Sequence, residues 1–519
     1  MSKIKFTIFT LAFIIAFTGC QHSNKKTNIN LNELTIAQIH NAFREGRYNS
    51  EQLVAAYLAR IKKYDKGTNA ITTINHGALN IAKAEDEEYK KTGKMLPLQG
   101  IPIIVKDNYN TKGMPTTGGS LALKNFIPKT NAFVINKLVK AGAIIIAKSN
   151  MAEWAFSAKH TYSSTHGETH NPYNLAYVPA GSSGGTAAAI AANFATAGLG
   201  TDTGNSIRGP SSHCDLVGFR TTMGLISRSG IIPLYLRNDV AGPMCRTVED
   251  ETKMLQVMAG YDPEDPITKH SEGKIPANYT QFLQKNGLKG ARIGVLRALS
   301  DDNPDPQVKA LFDKALTDMK SMGAHIVDPV VIPDFDSLRK NQWCSEFKKD
   351  IHNYLTTYVK SDTMKTIEDI IRVGSKSKDV MNGLKYEATH SGRAKHPEIG
   401  CKDAWHDKKR IAFREAIRKT MDKLHLDAIV YPSWNYPPAK IDSFDVDYKG
   451  DNSQIIAPHT GQPAFTVPMG FTHGGLPAGI QFLGRMYSEP TLIKLVYAYE
   501  QGTKHRRPPS MSELTDTSD

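Results

Sequence analysis

Short apolar runs, rich in Ile and Val and bounded by Gly or Pro, alternate along this chain with stretches of helical periodicity. Residues 101–105, 143–147, 291–296, 427–431, 464–467 and 479–483 have the near-continuous apolar character of strands covered on both faces. Between them, residues 132–141, 186–197, 306–322 and 410–424 carry helical spacing. Near the start, Thr35 followed by Gln38 is a capping-box pattern. Ser50 is expected to cap a second helix, in which Leu53, Val54, Tyr57, Leu58 and Ile61 share one face. Such alternation predicts an α/β protein with a mixed, mostly central sheet and helices over both of its faces. Neither an internal repeat nor a long Pro/Ser linker interrupts the pattern, so residues 33–505 are expected to form one large domain. Its most polar stretch, residues 334–407, reads as a helical elaboration on one side. The tail, residues 506–519, is Pro/Ser/Thr-rich and expected to fray.

The N-terminus belongs to targeting. Lys3 and Lys5 precede an apolar run over residues 6–17, too short for the ~20 residues of a spanning helix. The run leads into Thr18-Gly19-Cys20, small residues before a Cys, as in a bacterial lipobox. Residues 1–20 are therefore expected to be a signal peptide of lipoprotein type, with Cys20 as the lipidation site. Phe17 stands where Leu is usual, which leaves ordinary cleavage or an uncleaved anchor open. Residues 21–32, polar and Lys/Asn-rich, read as a flexible tether. Export to the periplasm or cell surface, with the membrane reached through the lipid anchor, is the expectation.

Composition excludes several classes. With 40% hydrophobic and 22% charged residues the chain is neither disordered nor collagen-like, and a mean hydropathy of -0.37 excludes a multispanning membrane protein. The net charge of +13 is dispersed, which argues against a specific nucleic-acid partner. Besides Cys20, Cys214, Cys245, Cys344 and Cys401 are widely scattered, with no metal-ligand spacing. They are expected to be buried thiols, one disulfide among them remaining open. His160, His166 and His170 lie close in sequence, but Gly167 and Asn171-Pro172 mark a loop rather than the ligating face of a helix. Neither a metal nor any other cofactor is expected.

Three segments carry the chemistry. Lys106 ends an apolar strand, and burial there would lower its pKa from about 10.4 and make it a competent base. The loop Gly181-Ser182-Ser183-Gly184-Gly185 precedes a helix and exposes backbone to close approach. It also fits a nucleophile elbow centred on Ser183, but Pro179 and Ala180 stand where that motif needs a strand. Third, residues 201–210 set Ser206 among small or turn-forming residues, where a sharp turn lets consecutive N–H groups converge on one point, the geometry of an oxyanion hole.

Together, in this order, Lys106, Ser182 and Ser206 resemble the amidase signature family. The resemblance extends through Asn171-Pro172, Gly242-Pro243-Met244, Arg246-Thr247-Val248, Gly461-Gln462-Pro463-Ala464 and Gly479-Ile480-Gln481-Phe482. It implies the amidase signature fold and a Ser–Ser–Lys triad. Ser206 would be the nucleophile, Ser182 the bridging hydroxyl on a cis peptide, and Lys106 the base. Thr203, Gly204, Asn205 and Ser206 would supply the oxyanion hole. Asn205 departs from the family's usual Gly, and is expected to tolerate a left-handed backbone while pushing its side chain into the site. Asp202, Arg208 and Ser183 would brace this machinery, the first two as an ion pair. Met151 and Trp154 would line the substrate pocket, although a core Trp fits Trp154 equally.

The activity implied is hydrolysis of a carboxamide in a small molecule or a peptide. Two alternatives stay open. One is the glutaminase subunit of a tRNA-dependent amidotransferase, against which the export signal and the segment Glu346-Phe347-Lys348-Lys349-Asp350 with Tyr354 both argue. The other is a catalytically silent binding protein of the same fold.

Overall fold

Among the described residues all six apolar runs become strands, and seven further strands join them. The computed structural model describes residues 29–390, 401–512 and 514. Cys20, the leader and most of the tether lie outside the described residues. In chain order the strands are β1 Ile71–Ile74, β2 Ile101–Lys106, β3 Ala143–Ser149, β4 Tyr162–Ser163, β5 Gly167–Glu168, β6 Ala197–Asp202 and β7 Val217–Arg220. There follow β8 Val240–Cys245, β9 Arg292–Val295, β10 His325–Val327, β11 Ala428–Pro432, β12 Ala464–Phe471 and β13 Pro477–Leu483. Eleven of them form one mixed sheet in the order β1-β3-β2-β6-β8-β7-β12-β13-β11-β9-β10, while β4 and β5 pair separately. Pairing is antiparallel through the middle, from β6 to β11, and parallel for β3–β2–β6 and β11–β9–β10. Helices cover the sheet, as the alternation predicts.

Strand β6 follows the helix expected over residues 186–197, in a segment where the sequence gives no strand signal. That helix spans only Gly184–Ala191, and residues 197–202 are a wholly buried strand beside β2. Its sequence, Ala-Gly-Leu-Gly-Thr-Asp, lacks β-branched bulk because the Ala-rich helix and β8 press directly on it. A Cβ on Gly198 would stand 2.5 Å from Thr186 Cγ2, and one on Gly200 2.6 Å from Met244 Sδ. Close packing thus removed the side chains that would have signalled a strand.

Local signals near the N-terminus divide. Thr35 and Gln38 make the capping box, Gln38 N donating to Thr35 Oγ1 at 3.3 Å and Thr35 N to Gln38 Oε1 at 2.9 Å. The second helix is capped by Asn49 with Gln52, not by Ser50, which is its first residue. Asn49 takes the cap because its carboxamide reaches the Gln52 amide at 2.9 Å, while the Ser50 amide is held by Asp86. Leu53, Val54, Tyr57 and Ile61 are buried as expected, and Leu58 is partly so.

The cysteines and the C-terminus correct the expectation. Cys344 and Cys401 form a disulfide, their Cα atoms 5.8 Å apart, whereas Cys214 and Cys245 are buried free thiols. The chain beyond Lys504 does not fray at once. The Arg506 guanidinium pairs with Glu33 at 3.0 Å and lies 3.9 Å from the buried Asp215 carboxylate, whose Oδ2 also accepts from the Arg507 amide at 2.8 Å. Leu514 is buried against Gly67. At the other end, Leu31 already belongs to the core. Polar composition alone does not reveal that Arg506 is the counter-charge of the buried Asp215 and the half-buried Glu33.

The polar elaboration is helical, with segments Phe335–Leu338, Phe347–Tyr354, Ile367–Val373 and Lys378–Thr389. Its apolar faces form a separate cluster of Phe347, Ile351, Leu355, Ile367 and Leu384 around Trp154. Replacing Arg506 by Ala should lower the free energy of unfolding by about 3 kcal/mol, because Asp215 is left buried without its partner. Urea denaturation measures this, and an unchanged midpoint would mean that the C-terminal segment is dispensable.

Candidate active site

The parallel pair β2–β6 sets the ends of two strands side by side, and the site is built there. Lys106 is the last residue of β2, and its side chain is wholly buried. Its Nζ lies 2.8 Å from Ser182 Oγ, 2.9 Å from Ser183 Oγ and 2.9 Å from Thr201 Oγ1. Burial pushes its pKa down from 10.5 to about 7, against the opposing pull of Asp202 and Asp239. The amine therefore exists in both protonation states near neutrality. Ser182 and Ser183 lead into the helix Gly184–Ala191, which packs on β2 and β6 and so delivers both hydroxyls to the lysine. The Gly181–Ser182 peptide bond is cis.

The two serines are not equivalent. The Ser183 hydroxyl donates to the Thr201 carbonyl at 3.2 Å, so its proton is engaged while its oxygen accepts from Lys106. It is fully buried and does not face the cavity described below, which removes the elbow reading. Ser182 has no such carbonyl partner among the described residues, and its hydroxyl is free to exchange a proton with the amine.

After β6 the chain turns through Thr203-Gly204-Asn205-Ser206 into the helix Arg208–His213. Asp202 holds this turn from within. Its Oδ2 accepts from the amides of Ile207 and Arg208 at 3.1 and 3.4 Å, and the Arg208 guanidinium grips both of its oxygens at 3.1 Å. Burial works against a charged Asp202, but Arg208 and Arg220 outweigh it and hold the carboxyl far below the usual carboxylate range. Arg208 also donates to the Gly204 carbonyl at 2.7 Å and to Gln481 Oε1 at 2.9 Å. With its carbonyls and flanking amides so occupied, the turn presents what remains. Among the described residues, no acceptor takes the N–H of Thr203, Gly204, Asn205 or Ser206. All four residues line a cavity of about 740 Å³.

Asn205 does not adopt the left-handed backbone expected of it. Its Nδ2 instead donates to the Ala158 carbonyl at 3.4 Å, tying the turn to the opposite wall. Met151 and Trp154 are buried and do not line the cavity. The short turn Glu153–Ala155 rotates the Trp154 indole into the elaboration, edge-on to Phe347 at 6.1 Å, and leaves Ala155 and Phe156 on the wall. The histidines have separate partners, His160 on Glu168 at 3.1 Å and stacked on Phe444, and His170 on the Leu175 carbonyl at 2.7 Å. No group of three or more His, Cys, Asp or Glu among the described residues is placed to hold a metal ion.

Three contributors escaped the sequence analysis. Thr201 touches the lysine, and its signal was its place one residue before Asp202 in the same segment. Arg220, 2.7 Å from Asp202 Oδ1, is a lone charge ending a buried strand. Asp239 accepts from Thr203 Oγ1 at 2.6 Å and from the amides of Leu234 and Tyr235 at 2.9 and 3.2 Å. No local pattern distinguishes it.

Residues 52–493 match the family model described as Amidase. The chain belongs to the amidase signature family. Members of that family are hydrolases of carbon–nitrogen bonds. The chain is 34% identical over 527 residues to a probable amidase of Arabidopsis thaliana, covering 97% of this chain and 96% of the relative. Its identity to a glutamyl-tRNA(Gln) amidotransferase subunit from Geobacter metallireducens is also 34%, over 91% of this chain and 97% of that protein. In structure it is similar to the native peptide amidase of Stenotrophomonas maltophilia, with a TM-score of 0.82, 33% identity, and 92% and 99% of the two chains covered. Eleven strands in one sheet, with Lys106 and the serine loops gathered at the ends of its interior strands β2 and β6, are thus the amidase signature fold.

In this chain, Asp202→Asn should cost about 3–5 kcal/mol of stability, because Arg208 and Arg220 stay charged in the interior without their partner. The folded pKa of Asp202 lies below the unfolded one, so its contribution is present above about pH 4 and lost only as pH falls through the folded value. Denaturant titrations of both proteins at pH 7 and at acid pH measure the difference, which should narrow on acidification.

Proposed function

We propose that this protein is a serine amidase that hydrolyses the carboxamide C–N bond of a linear amide through an acyl-enzyme on Ser206. The observation that carries this reading is the buried Lys106 amine, 2.8 Å from Ser182 and poised to change charge near neutral pH. A serine hydroxyl is a weak nucleophile until its proton is drawn off, and an amide nitrogen departs only when protonated. The relay meets both needs with one proton. Ser206 Oγ attacks the carbonyl carbon while its proton passes to Ser182 Oγ, whose own proton moves to the neutral Lys106. The carbonyl π-electrons go to oxygen, and the free N–H groups of the 203–206 turn receive the developing anion. Collapse breaks the C–N bond. The proton returns from Lys106 through Ser182 to the leaving nitrogen, which departs as ammonia or an amine. Water then attacks the ester by the same relay, releasing the carboxylate and restoring Ser206.

Similarity to a peptide amidase supports amidated peptides or comparable small amides as substrates. The signal sequence supports export, with Cys20 as the lipidated residue holding the protein at the periplasmic membrane or cell surface. The Cys344–Cys401 disulfide supports an oxidising compartment independently of that leader. A second reading, the glutaminase component of an amidotransferase, is favoured by the equal identity to the Geobacter protein. It requires partner proteins, and stimulation of glutamine hydrolysis by them would select it. A silent binding protein of this fold would leave Ser206 unlabelled by a fluorophosphonate probe.

Ser206→Ala should abolish ammonia release from an amide panel, by about 10⁴-fold or more, with the circular dichroism spectrum unchanged. Substantial residual turnover would refute the nucleophile. Because the relay starts from neutral Lys106, kcat/KM should fall about tenfold per pH unit below pH 7 and level off above it. A rate profile flat from pH 5 to 9 would remove Lys106 from the base role.

A further inference from the structure

Trp343 stands out among the residues not used by the chemistry. It is a large apolar side chain left 46% exposed, and it lines the cavity. Its ring packs edge-on to His459 at 4.7 Å and to Tyr235 at 6.4 Å. The position that a Cβ on Gly204 would take lies 3.2 Å from Trp343 Cη2. The indole therefore packs against Gly204, one of the residues of the turn assigned above to the oxyanion.

The segment that carries it has no helix or strand of its own, lying between the helices Phe335–Leu338 and Phe347–Tyr354. It is nevertheless held on both sides of the tryptophan. Arg410 Nη2 donates to the Gln342 carbonyl at 3.4 Å, Arg237 Nη1 to the Cys344 carbonyl at 3.3 Å, and Cys344 is bonded to Cys401. Both guanidinium groups are buried. That disulfide closes the excursion from residue 344 to 401 onto itself, and the same excursion supplies Val380, Tyr386 and Glu387 to the cavity wall. An exposed indole held this firmly is apolar area awaiting a partner.

Ammonia or a small amine as leaving group needs almost none of a 740 Å³ cavity. The volume is there for the acyl side of the substrate. We infer that Trp343, kept in place by the Cys344–Cys401 disulfide, sets the acyl preference of this enzyme by receiving an aromatic or branched apolar group next to the scissile carboxamide. This rests on the amidase reading above. A glycine-like acyl group leaves the indole wet, whereas a phenyl ring covers it and removes apolar area from water on both partners.

The test compares N-acetyl-phenylalaninamide with N-acetylglycinamide as substrates of the wild type, Trp343→Ala, Trp343→Phe and Cys401→Ser proteins. The wild type should prefer the phenylalaninamide. Trp343→Ala should reduce kcat/KM for that amide by about tenfold or more, mainly through KM, and change the glycinamide value by less than about threefold. Trp343→Phe should restore most of the preference, and Cys401→Ser should weaken it in the same direction. An unchanged ratio in Trp343→Ala overturns the inference. So does an equal fall for both amides, which would make the indole a prop for the 203–206 turn. Should the wild type release no ammonia from either amide, the amidase reading fails and titration calorimetry decides this inference separately. Tighter binding of the phenylalaninamide, lost in Trp343→Ala, upholds the binding wall, and equal binding of both amides overturns it.

Discussion

An amine removed from water, with hydroxyls as its close partners, is the constraint around which the rest of the molecule is arranged. Lys106 cannot hold a full charge comfortably where it lies, and burial brings its pKa to about 7. A carboxylate in direct contact would have restored the ammonium and ended its use as a base. Asp202 and Asp239 are near enough to oppose the shift, yet each is engaged elsewhere, the first by two arginines and the second by Thr203 and two backbone amides. The charges that could have spoiled the site are consumed in building its neighbouring turn.

That turn shows how interior charge is used. Asp202, Arg208 and Arg220 form a fully buried triad, expensive to desolvate and hard to justify by stability alone. Their geometry gives a different return. Asp202 takes the amides just after the turn, Arg208 takes the Gly204 carbonyl, and the N–H groups of the four preceding residues, which line the cavity, are left without an acceptor among the described residues. Polar groups with nothing to bond are held ready for charge that appears only during reaction, so no reorganisation is needed at that moment.

The cavity is walled on one side by the polar helical elaboration, whose two ends the Cys344–Cys401 bond brings together beside the turn. A core made of the sheet and its covering helices thus supplies the chemistry, and an added segment with its own apolar cluster supplies the surface that a substrate meets. Division of this kind lets the wall vary while the strand ends that carry the proton relay stay in register.

How much of this was legible in the sequence depended on whether the signal was local. Ile/Val-rich runs announced six strands, because burial on both faces demands continuous apolar residues. The Lys106, Ser182 and Ser206 segments were likewise visible, since a strand-end lysine and two small-residue turns are written in adjacent letters. Strand β6 was not, because tight packing against Thr186, Ile190 and Met244 had replaced its side chains with glycine. The sequence leaves Trp154 between pocket and core and misplaces Arg506 in a frayed tail for a related reason: whether an indole lines a cavity or a guanidinium meets Asp215 depends on partners far along the chain. Nor could spacing choose among four cysteines which two would meet. Local composition determined the elements and the reactive residue types, while the three-dimensional packing alone decided their pairing, their solvation and therefore their charge, because desolvation and contact arise only after distant segments have been brought together.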